Sequence, residues 1–174
     1  IDDTSVRKYG TATDGVYYQH YGAEGRNADC KVVVTSHYAD DTKDFPLDAE
    51  AYYKDDDMPI ESKIDLACSL ISRAVKRGIS FGWAVFDRWY CTKQVVRKVE
   101  EHGKYFVSKL KSNRVVVYRG ERTSAGNLVT VAAASSASEE TPVDLGCATV
   151  QNLGDYRIVV RGGECFITNN CTVT

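Results

Sequence analysis

Hydrophobic positions along the chain change period several times, and each change predicts an element. The run "CKVVVTSHYA" (30–39) is rich in β-branched residues and reads as a strand; "DDTKD" turns the chain, and "FPLDAEAYY" (45–53) suits a further strand with Pro46 near its start. In "IESKIDLACSLISRAVKRGI" the period lengthens: Ile60, Ile64, Ala67, Leu70, Ile71, Ala74 and Val75 recur at steps of three and four, and Leu66 widens that apolar face. Pro59 favours a helix start there, and Lys76, Arg77 and Gly78 favour its end. "FGWAVF" is then a buried strand that stops on Asp87, "TKQVVRKVEEHG" a second helix closed by Gly103, and "KYFVSKL" another strand.

The opening "IDDTSV" reads as a strand, while the Tyr- and Gly-rich stretch from Tyr9 to Asn27 reads as a loop. The predicted order is therefore β-β-β-α-β-α-β: an α/β domain whose mixed sheet is flanked by helices. In that sheet the first strand lies beside the strand ending at Asp87, which brings Asp2 or Asp3 near Asp87. From residue 112 onward "RVVVYRG", "LVTVAAA", "CATVQNL", "YRIVVRG" and "ECFITNN" read as strands without helical period, so the division is a core at 1–111 and a β-rich insertion or extension at 112–174. "SSASEETPVDLG" is its least ordered connection.

Composition adds bounds rather than chemistry. At 174 residues, with 43% hydrophobic content, one globular domain with a substantial core is expected. No apolar stretch is long enough for a membrane helix and no signal-peptide pattern opens the chain, so a soluble cytoplasmic protein is expected. The six cysteines are scattered without a C-x-x-C pair and the three histidines are not at zinc-ligand spacing, which favours buried or free thiols. The net charge of −2 hides an uneven distribution. Asp40, Asp41, Asp44, Asp48, Asp55, Asp56 and Asp57 crowd one segment, and Lys104, Lys109, Lys111, Arg114, Arg119 and Arg122 another.

Two carboxylates at the ends of neighbouring strands repel unless a cation compensates them, and a hard divalent ion such as Mg²⁺ is suited to oxygen ligands. Pattern alone leaves the commoner reading open: an Asp between an apolar strand and a helix is often a turn residue or N-cap. For Trp89 and Tyr90, packing of the helix onto the sheet is the commoner role, with Arg88 the better candidate for a phosphate contact. Lys109, Lys111 and Arg114 form a basic cluster suited either to DNA phosphates or to a solvated turn.

"IDDTSVRKYG", "HYGAEGRNADCKVVVTSHYA", "FPLDAEAYY", "SKIDLACSLISRAVKRGISFGWAVFDRWY" and "YFVSKLKSNRVVV", in this order and spacing, resemble the catalytic domain of DDE transposases from bacterial and archaeal insertion sequences. The resemblance extends over nearly the whole chain. It implies an RNase H-like core that cleaves phosphodiesters with Mg²⁺ or Mn²⁺ and transfers DNA strands, acting on transposon ends and target DNA as a homodimer in the prokaryotic cytoplasm and nucleoid. By motif the second acidic residue is Asp87 and the first is Asp3 or Asp2, with Asp3 favoured because it directly precedes Thr4. Strand alternation allows only one of the two neighbours to face a metal. The family's third acid, a Glu, is expected on a helix beyond Thr174, so the chain reads as a fragment inactive by itself. Glu164 lies in a strand-like run, and Glu139 and Glu140 in the loop, so none of the three is assigned that role. Two other readings stay open: another RNase H-like metal nuclease, and a non-catalytic DNA-binding remnant of a decayed element.

Overall fold

The computed structural model describes residues 1–9, 13–54, 61–135, 138 and 140–171. Asp55, Asp56, Asp57, Pro59, Ile60 and Glu139 lie outside the described residues. The chain forms two compact units, Ile1–Ser80 and Phe81–Thr174, and its ladders form two sheets, one in each unit.

In the first unit the long β3 (Arg26–Ala39) organises β1 (Asp2–Arg7), β2 (Tyr17–Tyr21) and β4 (Asp44–Tyr52), all antiparallel to it. Ala28, Cys30, Val32, Val34 and Ser36 alternate into the interior, the two-residue period expected of a strand with one covered face. Cys30 is paired with both Arg7 and Tyr17, so β1 and β2 lie on opposite edges of β3. β4 takes the same edge as β2, further along. The ladder with β4 shifts register between Ser36 and His37, where Pro46 faces His37 and Leu47 is the extra residue of a bulge.

Helix α1 (Lys63–Lys76) covers that sheet with Leu66, Ala67, Leu70, Ile71 and Ala74. Its start is a reciprocal capping box: Ser62 Oγ accepts from the Asp65 N–H at 3.2 Å, and Asp65 Oδ2 accepts from the Ser62 N–H at 2.9 Å. Its end is closed by Gly78 at φ 72°, where the Ile79 N–H reaches back to the Ala74 carbonyl at 3.1 Å. Arg73 ties the helix to β4 through Glu50 at 2.5 Å and Asp48 at 3.3 Å.

The second unit is a seven-stranded sheet in the order β5-β6-β11-β10-β9-β7-β8. The strands are β5 (Trp83–Phe86), β6 (Tyr105–Lys109), β7 (Val115–Tyr118), β8 (Glu121–Ser124), β9 (Val143–Val150), β10 (Gly154–Arg161) and β11 (Glu164–Thr168). Among the described strands of this sheet only β5 and β6 run parallel, joined through α2 (Lys93–Glu101) as a crossover requires. Phe106, Ile158 and Ile167 on the sheet and Val95, Val99 and Leu128 on the helices make the buried core. β6 and β11 pair only from Val107 to Lys109; beyond that the Asn169 side chain continues the ladder, its Oδ1 accepting from the Phe106 N–H at 2.9 Å and its Nδ2 donating to the Lys104 carbonyl at 3.1 Å.

Three expectations differ from this architecture. The first strand and the strand ending at Asp87 belong to separate sheets among the described residues, not to one mixed sheet. Tyr17–Tyr21, read as loop, is a strand, because the long β3 extends far enough to pair with it from Arg26 to Cys30. "LVTVAAA", read as strand, lies mostly in helix α3 (Ala125–Ala133). Its β-branched Val129, Thr130 and Val131 suggest a strand locally, but Ala125, Leu128 and Ala132 are the buried positions, a helical spacing, and Ser124 caps the start by accepting from the Asn127 N–H at 3.1 Å.

Candidate active site

The first unit separates Asp2 from Asp3. Asp3 stands opposite Val34, whose side chain is fully buried, and so shares the sheet face that α1 covers. Asp2 stands opposite Thr35 on the exposed face, and its Oδ1 accepts from the Asp3 N–H at 2.8 Å. The half-buried Asp3 carboxylate has a counter-ion: Lys63 Nζ, at the first position of α1, lies 2.6 Å from Asp3 Oδ2. The same ammonium lies 5.8 Å from the centre of the Tyr52 ring.

Lys63 was not singled out from the sequence, although a signal was present. A cation in the first turn of a helix faces the positive end of the dipole and is unfavourable there unless an acid compensates it.

In the second unit Asp87 follows the last residue of β5. Its backbone carbonyl accepts from the Tyr90 N–H at 2.9 Å, which makes 87–90 a turn. The cap of α2 is Thr92, whose Oγ1 accepts from the Val95 N–H at 3.4 Å. Asp87 is thus not the N-cap, and its side chain, 37% exposed, is left with Arg88 Nε at 3.8 Å as its nearest cation among the described residues.

The four basic residues suggested for DNA have different surroundings. Arg88 and Lys109 line a cavity of about 230 Å³ together with Ser112, Gly126 and Glu164. Lys109 is paired there with Glu164 Oε2 at 2.5 Å. Lys111 Nζ lies 3.9 Å from the centre of the Trp89 ring, a cation–π contact. Arg114 turns to the backbone, donating to the Cys91 carbonyl at 3.2 Å.

Tyr90 packs as expected, at 2% exposure, but Trp89 does not: it is 68% exposed. Glu164 sits on β11 as a half-exposed strand residue, and the exposed Glu140 is 3.9 Å from Arg161.

Carboxylate oxygens are the donors a hard divalent cation takes, so Asp3 and Asp87 are of the right chemical type for Mg²⁺. Among the described residues, however, no group of three or more His, Cys, Asp or Glu is arranged to hold a metal ion. Asp3 belongs to the first unit and Asp87 to the second. No helix among the described residues is long and apolar enough to cross a membrane.

A family model described as DDE superfamily endonuclease matches residues 1–126, more than two thirds of the chain. It covers β1, the whole α1-β5-α2-β6 succession and the basic segment after it. No curated protein matches the chain.

Proposed function

We propose that this chain, which belongs to the DDE superfamily endonucleases, is the catalytic region of an insertion-sequence DNA transposase. The observation that carries this reading is the situation of Asp87: just past an edge strand that buries only Ala84 and Phe86, released from capping, and next in sequence to an Arg that lines a cavity with a second cation. In this reading residues 1–111 are an RNase H-like core and 112–174 its β-rich insertion. The protein acts in the prokaryotic cytoplasm as a homodimer bridged by DNA.

The reaction is in-line attack on a phosphodiester, first by water and then by a DNA 3′-hydroxyl. Asp3 and Asp87 would hold Mg²⁺ or Mn²⁺; when bound, the metal supplies Lewis-acid stabilisation of the attacking and leaving oxygens. Asp3 accepts that role only by exchanging Lys63 for the new cation, whereas among the described residues Asp87 has only Arg88, at 3.8 Å, to give up. Arg88 and Lys109 would take non-bridging phosphate oxygens, and Lys109 must leave Glu164 to do so. Trp89 presents an open indole next to them, with Lys111 over one face, a surface on which an unpaired base can stack. No residue of the chain is assigned as the third acid.

The Asp3 to Lys63 ion pair also supports the second reading, a DNA-binding remnant without catalysis, because it neutralises Asp3 with no metal. Mn²⁺ titration of the folded chain, followed by NMR line broadening, separates the two. Saturable binding lost in Asp87→Asn and in Asp3→Asn but kept in Asp2→Asn is the expected result. Identical titrations for wild type and Asp87→Asn would exclude Asp87 as a ligand and leave the remnant reading.

A further inference from the structure

The six cysteines divide sharply. Cys30, Cys68, Cys91 and Cys165 are buried, and burial pushes the thiols of Cys30, Cys91 and Cys165 above their ordinary range. Cys147 and Cys171 are exposed, both in the second unit, and their sulfurs are 3.3 Å apart. That separation is inside ordinary sulfur contact, and closing it to the roughly 2.05 Å of a disulfide needs only about 1.3 Å of movement.

The approach follows from the sheet. Cys147 on β9 is opposite Arg157 on β10, and Arg157 is opposite Thr168 on β11, so the three lie in one row across three strands. After Thr168 the chain turns tightly, the Cys171 N–H donating to the Asn169 carbonyl at 3.0 Å, and comes back over that row to reach Cys147. Arg157 is held beside Cys147 by Asp144, with Nε donating to Oδ2 at 2.9 Å, so the guanidinium cannot swing between the sulfurs without leaving its carboxylate. The contact between the thiols raises Cys147 above its ordinary range, which fits Cys147 as the S–H donor and Cys171 as the acceptor.

We propose that Cys147 and Cys171 are a reversible oxidation site: a vicinal thiol pair that takes up one disulfide bond by exchange with a low-molecular-weight disulfide such as oxidised glutathione. Deprotonated Cys171 attacks one sulfur of that molecule, its S–S bond breaks, and one small thiol departs with the proton. Cys147 then attacks the Cys171 sulfur of the mixed disulfide and expels the second small thiol. The two protein thiols are oxidised by two electrons and the small disulfide is reduced to two thiols. The bond fastens Cys171, just after β11, across the sheet to Cys147 on β9, so the exchange ties or releases the turn at Asn169–Cys171. This inference is independent of the nuclease reading, because it invokes no metal and no DNA.

The test is to treat the folded 174-residue chain with oxidised glutathione, alkylate the free thiols, and determine intact and peptide masses. Wild type should lose two hydrogens and give one linked pair of peptides containing Cys147 and Cys171, reversed by dithiothreitol. In Cys147→Ser the glutathione should stay on Cys171 as a stable adduct, since the resolving thiol is gone, and Cys171→Ser should keep it on Cys147. Both positions are exposed, so circular dichroism of each variant should match wild type. Wild type that keeps glutathione on either cysteine, remains unmodified, or links a different pair of cysteines or two chains would overturn the proposal.

Discussion

Asp3 and Asp87 are the same residue type, one within a strand and the other just past one, and their neighbourhoods are opposite in character. Asp3 lies within a strand whose backbone is fixed by β3, faces the covered side, and is neutralised by Lys63 at 2.6 Å. Asp87 lies just past its strand, where a turn fixes the backbone carbonyl but leaves the carboxylate with no cation nearer than 3.8 Å among the described residues. The difference shows how a chain can present one acid already compensated and another not. A cation arriving at Asp87 displaces mostly water, whereas one arriving at Asp3 competes with an ammonium.

The largest effect that bears on this comparison is expected beneath Asp87. Phe106 on β6 is fully buried between Phe86, at 5.6 Å between ring centres, and Tyr156, at 5.4 Å, and so supports the strand that ends in Asp87. Phe106→Ala should cost about 3–5 kcal/mol in urea unfolding, the range for deleting a buried aromatic ring. A loss below about 1 kcal/mol would mean that the turn at 87–90, not the core, seats Asp87.

The next effect is alkaline. Burial pushes the Cys165 thiol from 9.0 up to about 12. A group whose folded pKa is raised stabilises the fold fully below its unfolded pKa, and that contribution is lost as pH rises from there through the folded value. The melting temperature should therefore fall progressively between pH 9 and about 12, with a shallower fall in Cys165→Ala. Equal slopes for the two proteins would show that other groups, such as the buried Tyr156 hydroxyl, which burial also raises, dominate the alkaline loss.

A smaller effect separates the candidate DNA-binding cations of the second unit. Arg88→Ala and Lys109→Ala should each weaken binding to duplex DNA and lower the salt dependence by about one counter-ion, as expected when a phosphate contact is removed. Arg114→Ala should leave that slope unchanged and show its effect in stability, because its guanidinium serves the Cys91 carbonyl. A filter-binding series from low to moderate salt distinguishes these outcomes.

The elements with a sustained period were legible in the sequence. α1, β5, α2 and β6 stand close to where the pattern puts them, and β3 shows the alternation of its valines. What failed depends on partners distant along the chain. Tyr17–Tyr21 is a strand only because β3 extends far enough to pair with it, and α3 is a helix because Leu128 and Ala132 find a core that local β-propensity does not report. At the candidate site, alternation along β1 posed the choice between Asp2 and Asp3 but not which face was covered, which the pairing with Val34 decides. Capping by Asp87 was a fair expectation from its place before a helix; Thr92 took the role because the turn at 87–90 intervenes. The pairing of Lys109 with Glu164 links residues on β6 and β11, which no local pattern joins.

The finest test of the contrast between the two acids is Lys63→Met, which removes the ammonium from Asp3 and keeps much of the side chain's length. The pair is partly exposed, 37% for Lys63 and 24% for Asp3, so its direct worth is that of a screened ion pair, about 0.2–1 kcal/mol. Removing a cation from the first turn of α1 also relieves an unfavourable dipole contact of similar size. Stability should accordingly change by less than about 1 kcal/mol. If Asp3 is a metal ligand, its freed carboxylate should bind Mn²⁺ several-fold more tightly than in wild type, and Asp3→Asn in the same background should abolish that gain. An unchanged Mn²⁺ affinity with an intact fold would mean that Lys63 does not restrain a ligand, and the contrast between Asp3 and Asp87 would then be one of stability rather than of catalysis.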